Sequence, residues 1–356
     1  MKYAGGFFRT VAGGILPAVM VVLMAVPAMA VQISFMIGDV SVFRDGGTVA
    51  ASLNMDLNPG DTIVTGGDGL VTLTYQDGSE VKVSEGTTLR VGNAATKDSE
   101  SISVISGSVL TAFQKLSKDS EERKVYTPTT VCAVRGTKFA VTVSKGADSR
   151  VDLDEGKLDV HNPYGKVEVN PDEDVQIGVG EEPEKGAAKG STKDWKAGKD
   201  DEFNGDPKSK GKKFKTYVGT LGERSSKSSE RIGKLNKNVS KAGKNKDELE
   251  KTGAELGELE NGATEDMILN ENATSSIDGI LKDFQNRKDD IYANFQKVKE
   301  ESNKVREQQR KNYESIMAVK QAYKKAYDEI MGAHKGMVDK IKGGIKKDSV
   351  KPSIEK

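Results

Sequence analysis

One cysteine, two histidines and one tryptophan in 356 residues leave little room for thiol, imidazole or metal-ligand chemistry. A single thiol excludes an intrachain disulfide, so stability must come from burial, which a β segment of about 150 residues can supply without staples. Cys132 lies between Val131 and Ala133, where a buried, inert thiol is expected. Long apolar runs are also missing after the opening segment. There, Lys2 and Arg9 precede an apolar stretch from Ile15 to Val26, and Ala28-Met29-Ala30 offers a small-residue cleavage site. That is the pattern of a secretory signal over residues 1–30. The stretch is shorter than the roughly 20 residues that span a bilayer, so an uncleaved anchor is the competing reading. No cysteine follows it, which argues against a lipoprotein anchor. The mature chain is expected to begin near Val31, to carry no stable transmembrane segment after processing, and to work in the periplasm or at the cell surface.

The net charge of zero hides an asymmetry. Residues 31–183 hold 14 Lys and Arg against 24 Asp and Glu, whereas residues 184–356 hold 38 against 30. An acidic head on a basic tail implies two modules with different surroundings. A lysine-rich helix face in solvent is the plain expectation for the tail, ahead of a surface for anionic polymer or lipid. An acidic β module, a tail of mixed charge and an exported location together exclude nucleic acid as a partner.

Catalytic patterns are absent as well. His161 stands beside Asn162-Pro163, where an exposed loop residue is expected, and His334 falls on the edge of a helical stripe. Neither belongs to a Ser/His/Asp or Cys/His arrangement, and metal-ligand spacings are missing. Asp152/Asp154/Glu155 and Asp172/Glu173/Asp174 could in principle offer oxygens to calcium, but neither fits an EF-hand, and solvated loops are expected. Gly66-Gly67-Asp68-Gly69 lacks the ending of a P-loop and reads as a hairpin loop. A non-enzyme is therefore expected, with no catalytic, cofactor or metal residues and no cofactor.

What is present is alternation. Val71, Leu73 and Tyr75, then Val81/Val83, Phe139/Val141/Val143, Val151/Leu153, Val167/Val169 and Val175/Ile177/Val179 repeat with period two. Such strands place one face on a core and the other in water. Turn signals fall between them at Asp45-Gly46-Gly47, Asp77-Gly78-Ser79, Asn162-Pro163 and Tyr164-Gly165. Residues 31–183 are predicted to be an all-β domain of short antiparallel strands, a sandwich or compact β-roll. A Gly-x-aliphatic-x pattern recurs at Gly38, Gly107 and Gly156, and Asn58-Pro59-Gly60-Asp61 is echoed by Asn170-Pro171-Asp172-Glu173. Two related β units are implied, too irregular for a solenoid.

Residues 184–215 are rich in Gly and Lys with few aliphatics, and predict a disordered linker in which Trp195, Phe203 and Phe214 do nothing specific. Residues 216–347 turn helical. Ile232, Leu235, Val239, Ala242, Leu249 and Leu256 make a first stripe that weakens at Gly253, Gly257 and Gly262. A break is expected over Asn270 to Ser276. A second stripe follows, through Ile277, Phe284, Ile291, Val298, Val305, Asn312 and Val319, with a companion series through Phe295, Ser302, Gln309, Ile316 and Ile330. Alternating steps of four and three form a coiled-coil seam, and Ile277 to Ile341 would be a rod on the order of 100 Å. Lys288, Ser302, Gln309 and Asn312 are polar where the seam should be apolar, which lowers stability but fixes register. The rod is expected to fold back as an intramolecular hairpin or to pair with a second copy as a homo-oligomer. Residues 348–356 are predicted to be a disordered tail.

Four motifs stand in a recognisable order. They are Pro59-Gly60-Asp61-Thr62 to Gly66, Tyr75-Gln76-Asp77-Gly78-Ser79, Thr127-Pro128 through Val134-Arg135-Gly136-Thr137-Lys138-Phe139, and Asp154-Glu155-Gly156-Lys157-Leu158. This set, over roughly residues 35–180, resembles the FecR-domain family, extracytoplasmic β modules of bacteria named after a ferric-citrate uptake regulator. In Arg135-Gly136-Thr137 a structural role is expected. Gly136 would adopt a backbone shape closed to other residues and Arg135 would pair with a carboxylate, ahead of an exposed Arg135 meeting an anionic ligand. The family's founding regulator joins a cytoplasmic anti-sigma segment, one membrane span and a periplasmic module. This chain departs from that plan at both ends. The resemblance therefore implies an exported envelope protein whose β domain binds an envelope protein or a cell-wall or surface polymer, with the helical tail as spacer or assembly element. The alternative it implies is a signalling regulator of iron-siderophore-type uptake, acting with a separate membrane partner. A carbohydrate-active enzyme is the third possibility, and it lacks any nameable pair of carboxylates.

Overall fold

The computed structural model describes residues 31–347 except 97, 116–121, 188–189, 242–244 and 288, with side chains described as far as residue 332. The expected signal over 1–30 and the tail over 348–356 lie outside the described residues. The protein is a two-sheet β head followed by long helices.

The far sheet runs in the order β4 (Asp56–Leu57), β1 (Val31–Ile37), β6 (Leu70–Tyr75), β7 (Glu80–Val83), the second half of β9 (Asp98–Ala112), β12 (Lys138–Val143), β13 (Ser149–Glu155), β16 (Glu173–Ile177) and β17 (Glu184–Ala187). The other sheet runs β3 (Gly47–Ala50), β2 (Val40–Arg44), β5 (Thr62–Thr65), β8 (Thr88–Asn93), the first half of β9, β10 (Arg123–Tyr126), β11 (Val131–Val134), β14 (Leu158–His161) and β15 (Lys166–Val169). All pairings are antiparallel except β9 with β10. β9 belongs to both sheets. Each half of the head contributes four strands to each sheet on its own side of β9, which is the physical form of the faint sequence repeat.

The repeated glycines mark three of the crossings between the sheets. Gly38 lies between β1 and β2, Gly156 between β13 and β14, and Gly107 between the two halves of β9, and their φ values are 71°, 95° and 91°. At each, the chain leaves one sheet for the other. Gly107 is doubly constrained, because a Cβ there would also lie 2.5 Å from the Thr87 Cα. Between the sheets sits one apolar core, with Ile33, Ile63, Leu73, Leu89, Ile102 and Phe139 among its fully buried members. Cys132 is part of it, and burial pushes its thiol up to about 12.

The segment expected to be a linker is ordered instead. After β17 it forms α1 (Thr192–Gly205) and the start of α2 (Pro207–Lys241). Ser191 caps α1 by accepting from the Lys193 and Asp194 amides, and Pro207 opens α2 where its missing N–H is harmless. Composition misled because Phe203 and Phe214 find a surface supplied by distant elements. They are 1% and 0% exposed, in a cluster with Phe284 and Phe295. Trp195 is half-buried and donates from Nε1 to Gln176.

The helical region contains three long helices rather than two. α2 is followed by α3 (Lys246–Asp283), capped by Asn245, and by α4 (Asp290–Lys347), whose first turn is tied by the Tyr292 amide to Asp289. The helices pack on one another within the chain as a bundle. Chain reversals fall between Lys241 and Lys246 and between Asp283 and Asp290, not at Asn270–Ser276. Those polar residues lie inside α3 because the bundle satisfies them. Asn270 donates to the Ser302 carbonyl and to Gln309 Oε1, Ser302 donates back to Asn270 Oδ1 at 2.7 Å, and Gln309 donates to the Asp266 carbonyl. Asn312 donates to the Ser225 carbonyl at 2.7 Å and accepts from Ser229. The polar seam residues are thus a matched network between helices. Lys288 lies outside the described residues, as do the side chains of Ala333, His334, Met337 and Ile341. At 1.5 Å per residue α4 is about 85 Å long, against about 55 Å for α2 or α3.

Candidate functional site: the junction of head and bundle

The outward face of the second sheet is covered by the bundle, and α3 makes the contact. Glu265, Asn272, Ser275 and Ser276 recur at helical spacing and form a polar stripe aimed at the strands, while Ile268, Leu269, Ile277 and Ile280 join the apolar cluster. From β8, Arg90 donates to Asn272 Oδ1 at 3.2 Å and to Ser275 Oγ at 2.9 Å, and pairs with Glu271 at 3.3 Å. From β10, Lys124 donates to Glu265 at 2.9 Å. From β14, His161 Nε2 lies 3.2 Å from the other Glu265 oxygen. His161 is therefore not an exposed loop residue. It ends a strand and is 26% exposed, with the helix as its neighbour.

Two adjacent carboxyls on α3 respond in opposite ways. Burial raises Glu265, but the His161 hydrogen bond and the Lys124 ammonium outweigh it and bring the carboxyl down to about 2. Asp266, only 4% exposed, is raised by burial to about 6 despite Arg224 of α2 at 2.8 and 2.9 Å. Glu265 thus ties α3 to the head and Asp266 ties it to α2.

The Thr127-Pro128 motif lies directly beneath. Thr127 Oγ1 accepts from the Thr129 and Thr130 amides and from Ser149 Oγ, making a buried hydroxyl turn between β10 and β11. Its carbonyl accepts from Asn272 of α3 at 3.3 Å. A second set of contacts closes the junction further along. Lys210 of α2 donates to both Asp148 oxygens at 2.7 Å, Lys145 pairs with Asp283 at 2.9 Å, and Tyr164 donates to Thr220 at 3.0 Å.

Arg135-Gly136-Thr137 is away from these contacts. Gly136 has φ 79°, and a Cβ there would meet the Lys115 Cα at 2.6 Å, so the crossing from β11 to β12 admits glycine alone. Arg135 is 69% exposed and pairs with Glu122 at 3.3 Å. The acidic clusters are solvated only in part: Asp154, Glu155 and Asp172 are exposed, as expected, while Asp152 and Asp174 are not. Asp152 and Asp174 face each other across β13 and β16, and Arg150, 3% exposed, lies against both at 2.6 and 3.4 Å. Among the described residues no group of three His, Cys, Asp or Glu could hold a metal ion, and no helix is long and apolar enough to cross a membrane. Arg90, Lys124 and Lys210 escaped sequence reasoning. Isolated cations on alternating strands or a lysine-rich helix look alike whether they meet solvent or another domain.

Residues 61–159 match the family model described as FecR protein, which is under half of the chain. The match takes in Arg90, Lys124, Thr127, Gly136 and Asp148. No curated protein matches. Among solved structures, two crystal structures of a candidate anti-sigma factor from Parabacteroides distasonis, at 2.50 and 1.65 Å, align at 21% and 20% identity, each with a TM-score of 0.30. Each alignment covers 35% of this chain and 57% of the other, so the chain spans little more than half of those proteins. At that TM-score the likeness carries no argument about function. A FecR-like β head followed by long helices is the class of protein defined by the fold and the family match together.

Proposed function

We propose that this protein is a non-enzymatic, exported signalling regulator that acts by contact with a separately encoded membrane partner. One observation carries the reading: the FecR-like head is clasped on one sheet by the long helix α3 through Arg90, Lys124 and Thr127, while the short helix α1 touches the far sheet at β16 through Trp195 and Gln176. A head fixed in this way presents one face to a partner and has its other face set by the state of the bundle. The test is transcriptional. In the parent bacterium, deleting the gene is expected to abolish the induction of iron-chelate uptake genes, and restoring the full chain to return it. Unchanged induction in the deletion strain would overturn the reading.

A second reading, an exported scaffold that binds an envelope protein or wall polymer, is favoured by the length of α4, which exceeds α2 and α3 by 23 and 20 residues. It predicts altered envelope integrity in the deletion strain with the transcription of uptake genes untouched.

A further inference from the structure

A cavity of about 390 Å³ lies between the covered sheet and the C-terminal third of α3. Its floor is made by β5, β8 and β9, which present Thr62, Thr88 and Ser106. Thr88 and Ser106 are register partners, and Thr62 is the partner of Arg90. No hydrogen bond is formed by any of these three hydroxyls among the described residues, whereas Ser275 and Ser276 on the helix wall are taken by Arg90 and the Ile105 carbonyl. Three cations reach the lining, Arg90, Lys145 and Lys282, against one carboxylate, Asp283. Arg90 and Lys145 already have acidic partners, while Lys282 has none among the described residues. The last turn of α3 brings carbonyls toward the site, but the Ile280 and Lys282 carbonyls are occupied by the Phe284 and Gln285 amides.

We propose that this cavity binds a small hydroxylated anion of the sugar-acid class, bridging the head and the bundle. The excess of cations in the lining departs from the acidic balance of the head and calls for negative charge. A compact ion would need donors converging on one point. The free hydroxyls are instead spread over three neighbouring strands, about 10 Å across at strand spacing, which suits a ring bearing several hydroxyl groups. Phe43, 41% exposed, is the register partner of Thr62 and offers an apolar face beside it. The volume falls within the range of small-molecule sites, roughly 300–1,000 Å³. Gly279 lines the same space, and a Cβ built on it meets nothing within 4 Å, so a larger side chain there would enter the cavity without a clash. This site goes beyond the contact-regulator reading and stands whether or not that reading holds.

The test is calorimetric titration of the full chain with glucuronate, glucose, inorganic phosphate and polygalacturonate. Saturable binding of glucuronate is expected, with glucose and phosphate each at least tenfold weaker. Polygalacturonate binding more tightly per uronate would mark a polymer end as the source, and weaker binding a free sugar acid; either agrees with the proposal. Gly279→Leu should abolish glucuronate binding while the helical circular dichroism is retained, because leucine is the better helix former. Lys282→Gln, at an exposed and unpaired position, should weaken binding tenfold or more. Equal binding of glucose or phosphate, binding unaffected by Gly279→Leu, or no binding of any probe to a folded chain would each overturn the proposal.

Discussion

Asp266 should contribute to the pH dependence of folding in a direction opposite to that of a carboxylate held down by cationic partners. Burial raises its carboxyl from an ordinary 3.8 to about 6. A raised carboxyl favours the folded state when protonated, so its stabilisation is complete below the ordinary value and is lost as pH rises through about 6. The full span is worth about 3 kcal/mol, and about 1.5 kcal/mol of it falls between pH 7.5 and pH 5. Glu265 runs the other way. Its carboxyl, brought down to about 2, stabilises above the ordinary 4.5 and loses that contribution as pH falls toward about 2. The folded chain should therefore gain stability from Asp266 on mild acidification, and the Glu265 tie between head and bundle should weaken only below about pH 4. Urea denaturation followed by circular dichroism at pH 7.5 and 5.0 measures this. Asp266→Asn keeps the shape and the Arg224 contact, and it leaves His161 and the other titrating groups in place, so the wild-type-minus-variant difference isolates one group. The stability difference between the two proteins should change by about 1.5 kcal/mol across that interval. A difference that stays constant with pH would refute the argument that desolvation at the α2–α3 contact dominates this carboxyl.

Three further outcomes follow from packing. Phe295→Ala should destabilise the protein by about 3–5 kcal/mol, since the ring is fully buried among Phe203, Phe214 and Phe284, and urea midpoints will show it. Asn312→Ala should cost about 1–3 kcal/mol in the same assay by leaving the Ser225 carbonyl and Ser229 hydroxyl without their partner; a neutral result would mean that water replaces the amide. Cys132 should resist a disulfide reagent such as dithionitrobenzoate in the native state and react at once in urea, because burial holds the thiol protonated up to about 12.

Much of the head was legible in one dimension. Period-two alternation marks strands wherever one face is buried, and the glycines of the Gly-x-aliphatic repeat turned out to lie among the points where the chain changes sheets. The backbone shape expected at Gly136 is there, and Arg135 pairs with Glu122 while staying 69% exposed. The helical tail was legible in its stripe and misleading in its breaks. Glycines and asparagines are poor helix formers in isolation, yet Gly257, Gly262 and Asn270 all lie within α3. Packing against two other helices and a sheet outweighs a propensity deficit of about 1 kcal/mol per residue.

By itself, then, the chain determined what is local: which segments alternate, where positive φ is required, and which helical stripes are apolar. The tertiary structure alone decided what is contingent on meeting. Phe203 and Phe214 became core rather than linker, and Lys124 and His161 found Glu265 at a sequence distance of more than 100 residues. The reason is that a hydrogen bond or a buried ring depends on a partner's position, and no periodicity in one segment records where a distant segment will lie.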